Sequence, residues 1–185
     1  MAVALKLTFA DVLALPDDGT RYELLDGELI VAASPFTPHQ RASKRLGYVL
    51  YLAELAGYGE VFDAPFDVIL DQFNTVQPDL LFVRTGRSLI VGDERIEGVP
   101  DLMVEILSKR TAGIDRGRGR KGKLGIYERF GAPYYWIVDP DKESVAEYTL
   151  PDGRYPAQPQ VRVAGEQIVC PLFPTITIAV SELFR

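Results

Sequence analysis

The chain has 185 residues, 47% hydrophobic and 25% charged, which points to one globular domain with a real core, expected to span residues 1–185. A formal net charge of −6 argues against a protein that coats nucleic acid non-specifically. The single cysteine, Cys170, excludes an intrachain disulfide and fits a reducing cytosol. No apolar run approaches the ~18–20 residues of a membrane-spanning helix. The N-terminal stretch carries Lys6 and Asp11 and is expected to be mature structure, not a signal peptide.

In chain order, residues 8–15 read as a short helix with Thr8 as N-cap. Residues 21–33 read as a β-hairpin, because Asp26-Gly27 between two apolar runs is a strong two-residue turn signal. A loop with two prolines covers residues 34–38. A main helix over residues 39–56 follows, with Leu46, Val49, Leu50 and Ala53 at helical spacing. Residues 61–70 carry Phe66, Val68 and Leu70 at period two. Residues 77–83 and 102–107 are nearly continuous apolar runs, as expected of central strands covered on both faces. Residues 84–99 read as loop with at most a short helix. Residues 111–130 read as the second large helix, stopped by Gly131 and Pro133. A strand over 134–138, a hairpin from 144–150 and 154–163, and a closing segment over 176–184 complete the order. This order implies an α/β or α+β sandwich with a mixed sheet, helices against it, and extra hairpins at both ends.

Carboxylates on otherwise apolar strands are costly to bury unless they are paired or bind a metal. Asp101 and Glu105 share a strand face but lie about 13 Å apart, too far to share one ion, so Asp101 reads as a strand-entry residue. Asp79 starts a different strand and can meet Glu105 if the two strands are neighbours in a suitable register. On a helix over 111–130, Arg116, Arg120, Lys123, Tyr127 and Phe130 share one face. Lys123 then faces the sheet and needs a partner, whereas Lys121 faces water. Seven basic residues and one acid, Asp115, fall between Lys109 and Lys123, a net +6 patch on an acidic body. Such a patch suits a phosphate-bearing ligand, with Arg116, Arg118 and Arg120 as phosphate contacts, or is a solvated face. His39, Glu23 and Gln77 are further candidates. His39, the only histidine, could bind phosphate, act as a base, or hydrogen-bond at a helix start. Trp136 reads as core and Cys170 as a buried thiol. The P-loop, GxSxG, CxxC and HExxH patterns are absent.

The segments YELLDGELI, SPFTPHQ, QPDLLFV, GVPDLMVEILS, KLGIY and GAPYYWIVDP occur in order and resemble the Uma-type family of candidate restriction endonucleases, in the PD-(D/E)xK nuclease superfamily. The resemblance covers about residues 22–148. It implies a restriction-endonuclease-like fold. The superfamily's Pro-Asp matches Pro78-Asp79 and its second acid matches Glu105. Its lysine normally lies two positions later, where this chain has Leu107. Lys123 is the position that resembles a lysine moved to the following helix, and Lys109 is its rival. The resemblance implies Mg²⁺ or Mn²⁺ held by Asp79 and Glu105, catalysis by Asp79, Glu105 and Lys123, DNA as substrate, and a homodimer; the expected location, from cysteine usage, is the cytoplasm. The alternative is a catalytically inactive module of the same fold that binds nucleic acid or a protein partner.

Overall fold

The computed structural model describes residues 5–16, 19–32 and 34–185. Residues 1–4 of the N-terminal stretch and Ala33, the expected end of the first hairpin, lie outside the described residues.

Helix α1 (Phe9–Leu13) starts at Thr8, whose side chain and that of Asp11 close a reciprocal capping box. Strands β1 (Tyr22–Leu25) and β2 (Glu28–Val31) form the first hairpin, with Leu25 opposite Glu28. Its turn needs positive φ at both central residues, and Asp26 and Gly27 adopt +56° and +78°. Helix α2 (Thr37–Leu55) buries Ala42, Leu46, Leu50 and Ala53. It begins two residues before the expected start, because Pro38 is tolerated in a first turn, where its missing N–H costs nothing.

The expected strand over 61–70 is two strands in different sheets: β3 (Gly59–Asp63) and β4 (Asp67–Asp71). Pro65 lies between them and cannot donate to a ladder. Then come β5 (Asn74–Val76), β6 (Leu80–Arg84), a 3₁₀ turn (Ser88–Ile90), β7 (Arg95–Glu97) and β8 (Leu102–Ile106). Strand β7, inside the expected loop, pairs in parallel with β4.

The expected helix over 111–130 is also two pieces. Helix α3 (Ala112–Asp115) is a single turn, and α4 (Lys123–Phe130) begins only after the glycine-rich segment. Glycine costs up to about 1 kcal/mol per residue in a helix interior, and three glycines fall at 117, 119 and 122. The chain instead folds back on itself, and the Gly125 N–H donates to the Gly117 carbonyl at 2.9 Å. A methyl group at Gly122 would run into the Gly117 carbonyl, so that close approach requires glycine. Gly131, at φ +78°, stops α4.

Strands β9 (Tyr134–Asp139), β10 (Ser144–Thr149), β11 (Gln160–Val163), β12 (Gln167–Val169) and β13 (Thr177–Ala179) complete the chain with a last 3₁₀ turn (Val180–Leu183). The central mixed sheet runs β11-β10-β9-β8-β6-β3; a second sheet runs β2-β1-β5-β4-β7; β12 and β13 pair separately. Alternation splits the central strands between two cores. Leu80, Phe82, Leu102, Val104, Trp136 and Val138 pack with α2, as expected for Trp136. Leu81, Val83, Met103, Tyr135 and Ile137 pack with α4 and the second sheet. Cys170 is buried in the first core. Among the described residues no helix is long and apolar enough to cross a membrane.

Candidate active site

Two carboxylates meet because their strands are neighbours. Strand β6 pairs antiparallel with β8, with Leu80 opposite Val104. One step further along this register, Asp79 comes opposite Glu105. Asp79 has the parity of Leu81 and Glu105 that of Met103, so both belong to the α4 side of the sheet. Asp79 Oδ2 accepts the Ile106 N–H at 2.7 Å, which ties the start of β6 to the end of β8. The same oxygen lies 3.1 Å from His39 Nε2, in the first turn of α2.

Lys123 is the first residue of α4. Its Nζ donates to Glu105 Oε1 at 2.8 Å and lies 2.9 Å from Glu23 Oε1 on β1. The Tyr127 hydroxyl, one helical turn on, donates to the same Glu105 oxygen at 2.8 Å. Glu23 also accepts the Gln77 N–H at 2.7 Å. The side chains of Lys123, Glu23 and Glu105 are 6%, 7% and 5% exposed, so these contacts are shielded from water. Burial works against the Lys123 ammonium, but Glu105, Glu23 and Asp115 outweigh it and hold its proton well above the ordinary lysine range. Burial pushes the Glu105 carboxyl well above the usual range; Lys123 opposes this, while Asp115, Asp79 and Glu23 add to it.

Apart from Tyr127, these groups line one cavity of about 530 Å³ at the junction of the two sheets. Five carboxylates line it (Glu23, Asp63, Asp79, Glu105, Asp115) against three permanent cations (Arg21, Arg110, Lys123), a formal excess of two negative charges. His39 Nδ1, Gln77 Oε1 and Asp115 Oδ2 are buried polar atoms without a hydrogen-bond partner, and all three residues line the cavity. Such atoms are uncommon in native proteins and mark places where water, an ion or a ligand completes the structure. Burial raises the Asp115 carboxyl from 3.8 to about 6, opposed in part by Lys123 and Thr111.

A family model described as "Putative restriction endonuclease", Uma2, matches residues 9–181. The chain belongs to the Uma2 family. Among solved structures it resembles one described as a "putative nuclease belonging to DUF820" from Anabaena variabilis. That match has a TM-score of 0.76 at 18% identity and covers 96% of this chain and 97% of the other, so it shows a shared fold. A search of curated proteins finds no match. A nuclease-like role follows from the family.

Oxygen donors suit Mg²⁺ or Mn²⁺, which typically take one or two carboxylates and keep several waters. The Uma2 cavity has that character. Asp79 and Glu105 each engage the protein through one oxygen, Oδ2 and Oε1, which leaves Oδ1 and Oε2 for a cation. The unpartnered Gln77 Oε1 is a third hard donor. Among the described residues no group of three His, Cys, Asp or Glu side chains is placed to hold a metal; the candidate donors are the free carboxylate oxygens of Asp79 and Glu105 and the Gln77 amide oxygen, all in residues that line one cavity.

The structure thus brings Asp79, Glu105, Lys123, Glu23, His39 and Gln77 into one cavity and leaves Arg116, Arg118 and Arg120 outside its lining. Arg116 pairs with Asp139 at 2.6 Å, Arg118 with Glu128 at 3.5 Å and with the Pro156 carbonyl, and Arg120 with Asp26 at 3.1 Å. Arg116 and Arg120 do not share a helix face with Lys123, because no helix joins them. Lys121 is exposed and pairs with Glu28. Lys109 is not among the lining residues. Asp101 accepts the Arg84 N–H and an Arg87 guanidinium bond, both at 3.0 Å, as a satisfied strand-entry residue would. Asp115, Arg21 and Arg110 were not singled out as site residues from sequence. The signal for Asp115 is that it is the lone acid inside the basic window.

Proposed function

We propose that the protein is a divalent-metal-dependent nuclease that hydrolyses phosphodiester bonds in DNA. The observation that carries this reading is the buried Lys123, which grips the β8 carboxylate that lies opposite Asp79. Asp79 and Glu105 would hold Mg²⁺ or Mn²⁺, and the unpartnered side-chain oxygen of Gln77, which lines the same cavity, would be a further donor. The bound metal supplies Lewis-acid stabilisation and a water of lowered pKa. Lys123 stays protonated and is therefore no general base. Two of its three N–H donors serve Glu105 and Glu23, and the third can orient the attacking water or stabilise charge on the phosphoryl oxygens. Tyr127 fixes Glu105, and His39 with the Ile106 N–H fixes Asp79. Cutting both strands of a duplex with one such site per chain calls for a homodimer, which sedimentation velocity tests.

Plasmid, linear and single-stranded DNA incubated with Mg²⁺, Mn²⁺ or EDTA test the reading, beside Asp79→Ala and Glu105→Ala. Each variant should lose about 10²-fold or more of the activity, the scale of losing one transition-state stabilising group. Calorimetry should show Mn²⁺ binding that Asp79→Ala abolishes. Activity that survives both substitutions removes the site assignment. A non-catalytic binding module is the second reading, favoured by Lys123 neutralising Glu105 and Glu23 without a metal. It requires salt-sensitive binding and no cleavage in any metal.

A further inference from the structure

We infer that the nucleic-acid backbone is held by Arg21, Arg110 and Lys44 along a path from the cavity into the groove between α2 and β3. The inference rests on the proposed nuclease reading, since it concerns the phosphates flanking the scissile one. A second depression of about 450 Å³ lies between α2 and β3, lined in part by Lys44 and Phe62. It shares Gln40, Ser43 and Asp63 with the main cavity, so the two depressions adjoin. Each is the size of a site for one small ligand, roughly 300–1,000 Å³. Together they accommodate more than the scissile phosphate and its immediate sugars.

Cations free to meet phosphate are found along these adjoining depressions, whereas those of the glycine-rich loop are paired. Arg116, Arg118, Arg120 and Lys121 each pair with a carboxylate (Asp139, Glu128, Asp26 and Glu28), which offsets their charge toward a polyanion. Arg21 and Arg110 line the cavity and Lys44 lines the groove. None of the three has an ion pair or side-chain hydrogen bond among the described residues. They come from three separate places: the residue before β1, the exposed side of α2, and the loop after β8. No local helix or hairpin pairing explains their common position. A polyanion neutralised by such cations releases counterions, so each contact has a measurable salt signature. Gln40 and Ser43 add neutral donors where the two depressions meet, and Asp63 is the one acid there.

The test is fluorescence anisotropy of labelled single-stranded and duplex oligonucleotides from 50 to 300 mM salt, in the 185-residue Asp79→Ala chain without metal. Arg21→Ala, Arg110→Ala and Lys44→Ala should each lower the slope of log K against log salt by about 0.7 on single strands and 0.9 on duplex. Each should weaken binding several-fold, and Arg110→Lys should restore the slope. Arg120→Ala should keep the parent slope. Unchanged slopes in the three variants, a loss at Arg120 instead, or no binding by the parent overturns the inference. Wild-type cleavage separates the two readings. If the protein cuts DNA while these slopes stay unchanged, the backbone path falls and the nuclease stands. If the slopes change as expected and no metal supports cleavage, the path stands and the nuclease falls.

Discussion

Replacing Asp115 with asparagine probes the electrostatics of the cavity directly. The residue is 1% exposed, its Oδ2 has no partner, and burial raises its carboxyl from 3.8 to about 6. A shift of about two units corresponds to about 3 kcal/mol of stability that the folded protein loses by holding this carboxylate charged. Between about pH 4 and pH 6 the folded state keeps a proton that the unfolded chain releases, so stability falls as pH rises through that window and stays lower above it. Asparagine has nearly the same shape and no charge at any pH. Asp115→Asn should therefore match the parent below pH 4 and exceed it by up to about 3 kcal/mol above pH 7. At a urea slope of about 2 kcal/mol/M, the midpoint at pH 8 rises by about 1.5 M. Urea unfolding in EDTA from pH 3.5 to 8 measures this. A difference that does not vary with pH, or a variant less stable than the parent at pH 8, refutes the reasoning.

Lys123→Met leaves Glu105 and Glu23 buried without their cation and should cost about 3–5 kcal/mol, more at pH 8 than at pH 5, because burial favours the protonated Glu105 carboxyl at the lower pH. Urea unfolding at both pH values checks it, and a loss under about 1 kcal/mol would contradict the paired geometry. The formal excess of two negative charges in the cavity should weaken nucleic-acid binding in EDTA without abolishing it. Oligonucleotide affinity should therefore rise about 10-fold or more when Ca²⁺ replaces EDTA, and equal affinity in both rejects the charge argument. Burial pushes the Cys170 thiol up to about 12, so at pH 8 it should react with a disulfide reagent roughly 10³-fold more slowly in the folded protein than in urea. Rates within a factor of ten would show that the thiol is not sealed.

Short-range signals read correctly where the chain's own geometry decides the outcome. Asp26-Gly27 marked a turn that needs two positive φ angles, and Thr8 marked a helix start that needs a side-chain acceptor. Leu46, Leu50 and Ala53 marked one buried face because helical spacing puts them there. The same reasoning ran too far at residues 111–130, where spacing alone drew a helix through glycines that instead fold the chain back. It also joined β3 to β4, because a period-two pattern does not say which sheet receives each half.

Family membership was legible because the acids, the lysine and their flanking apolar runs occur in a fixed order along the chain. Burial of Lys123 was foreseeable in part, since an amphipathic turn with Tyr127 directs it at the sheet. Partnership was not. That Glu23, from a different sheet, completes the Lys123 pair depends on how the two sheets meet. Local sequence equally could not show that Arg116, Arg118 and Arg120 would be neutralised by Asp139, Glu128 and Asp26, residues between 10 and 94 positions away. Charge composition travels with the sequence, but which charges remain free to bind a ligand is set by long-range packing, because ion pairs act over a few ångströms of space.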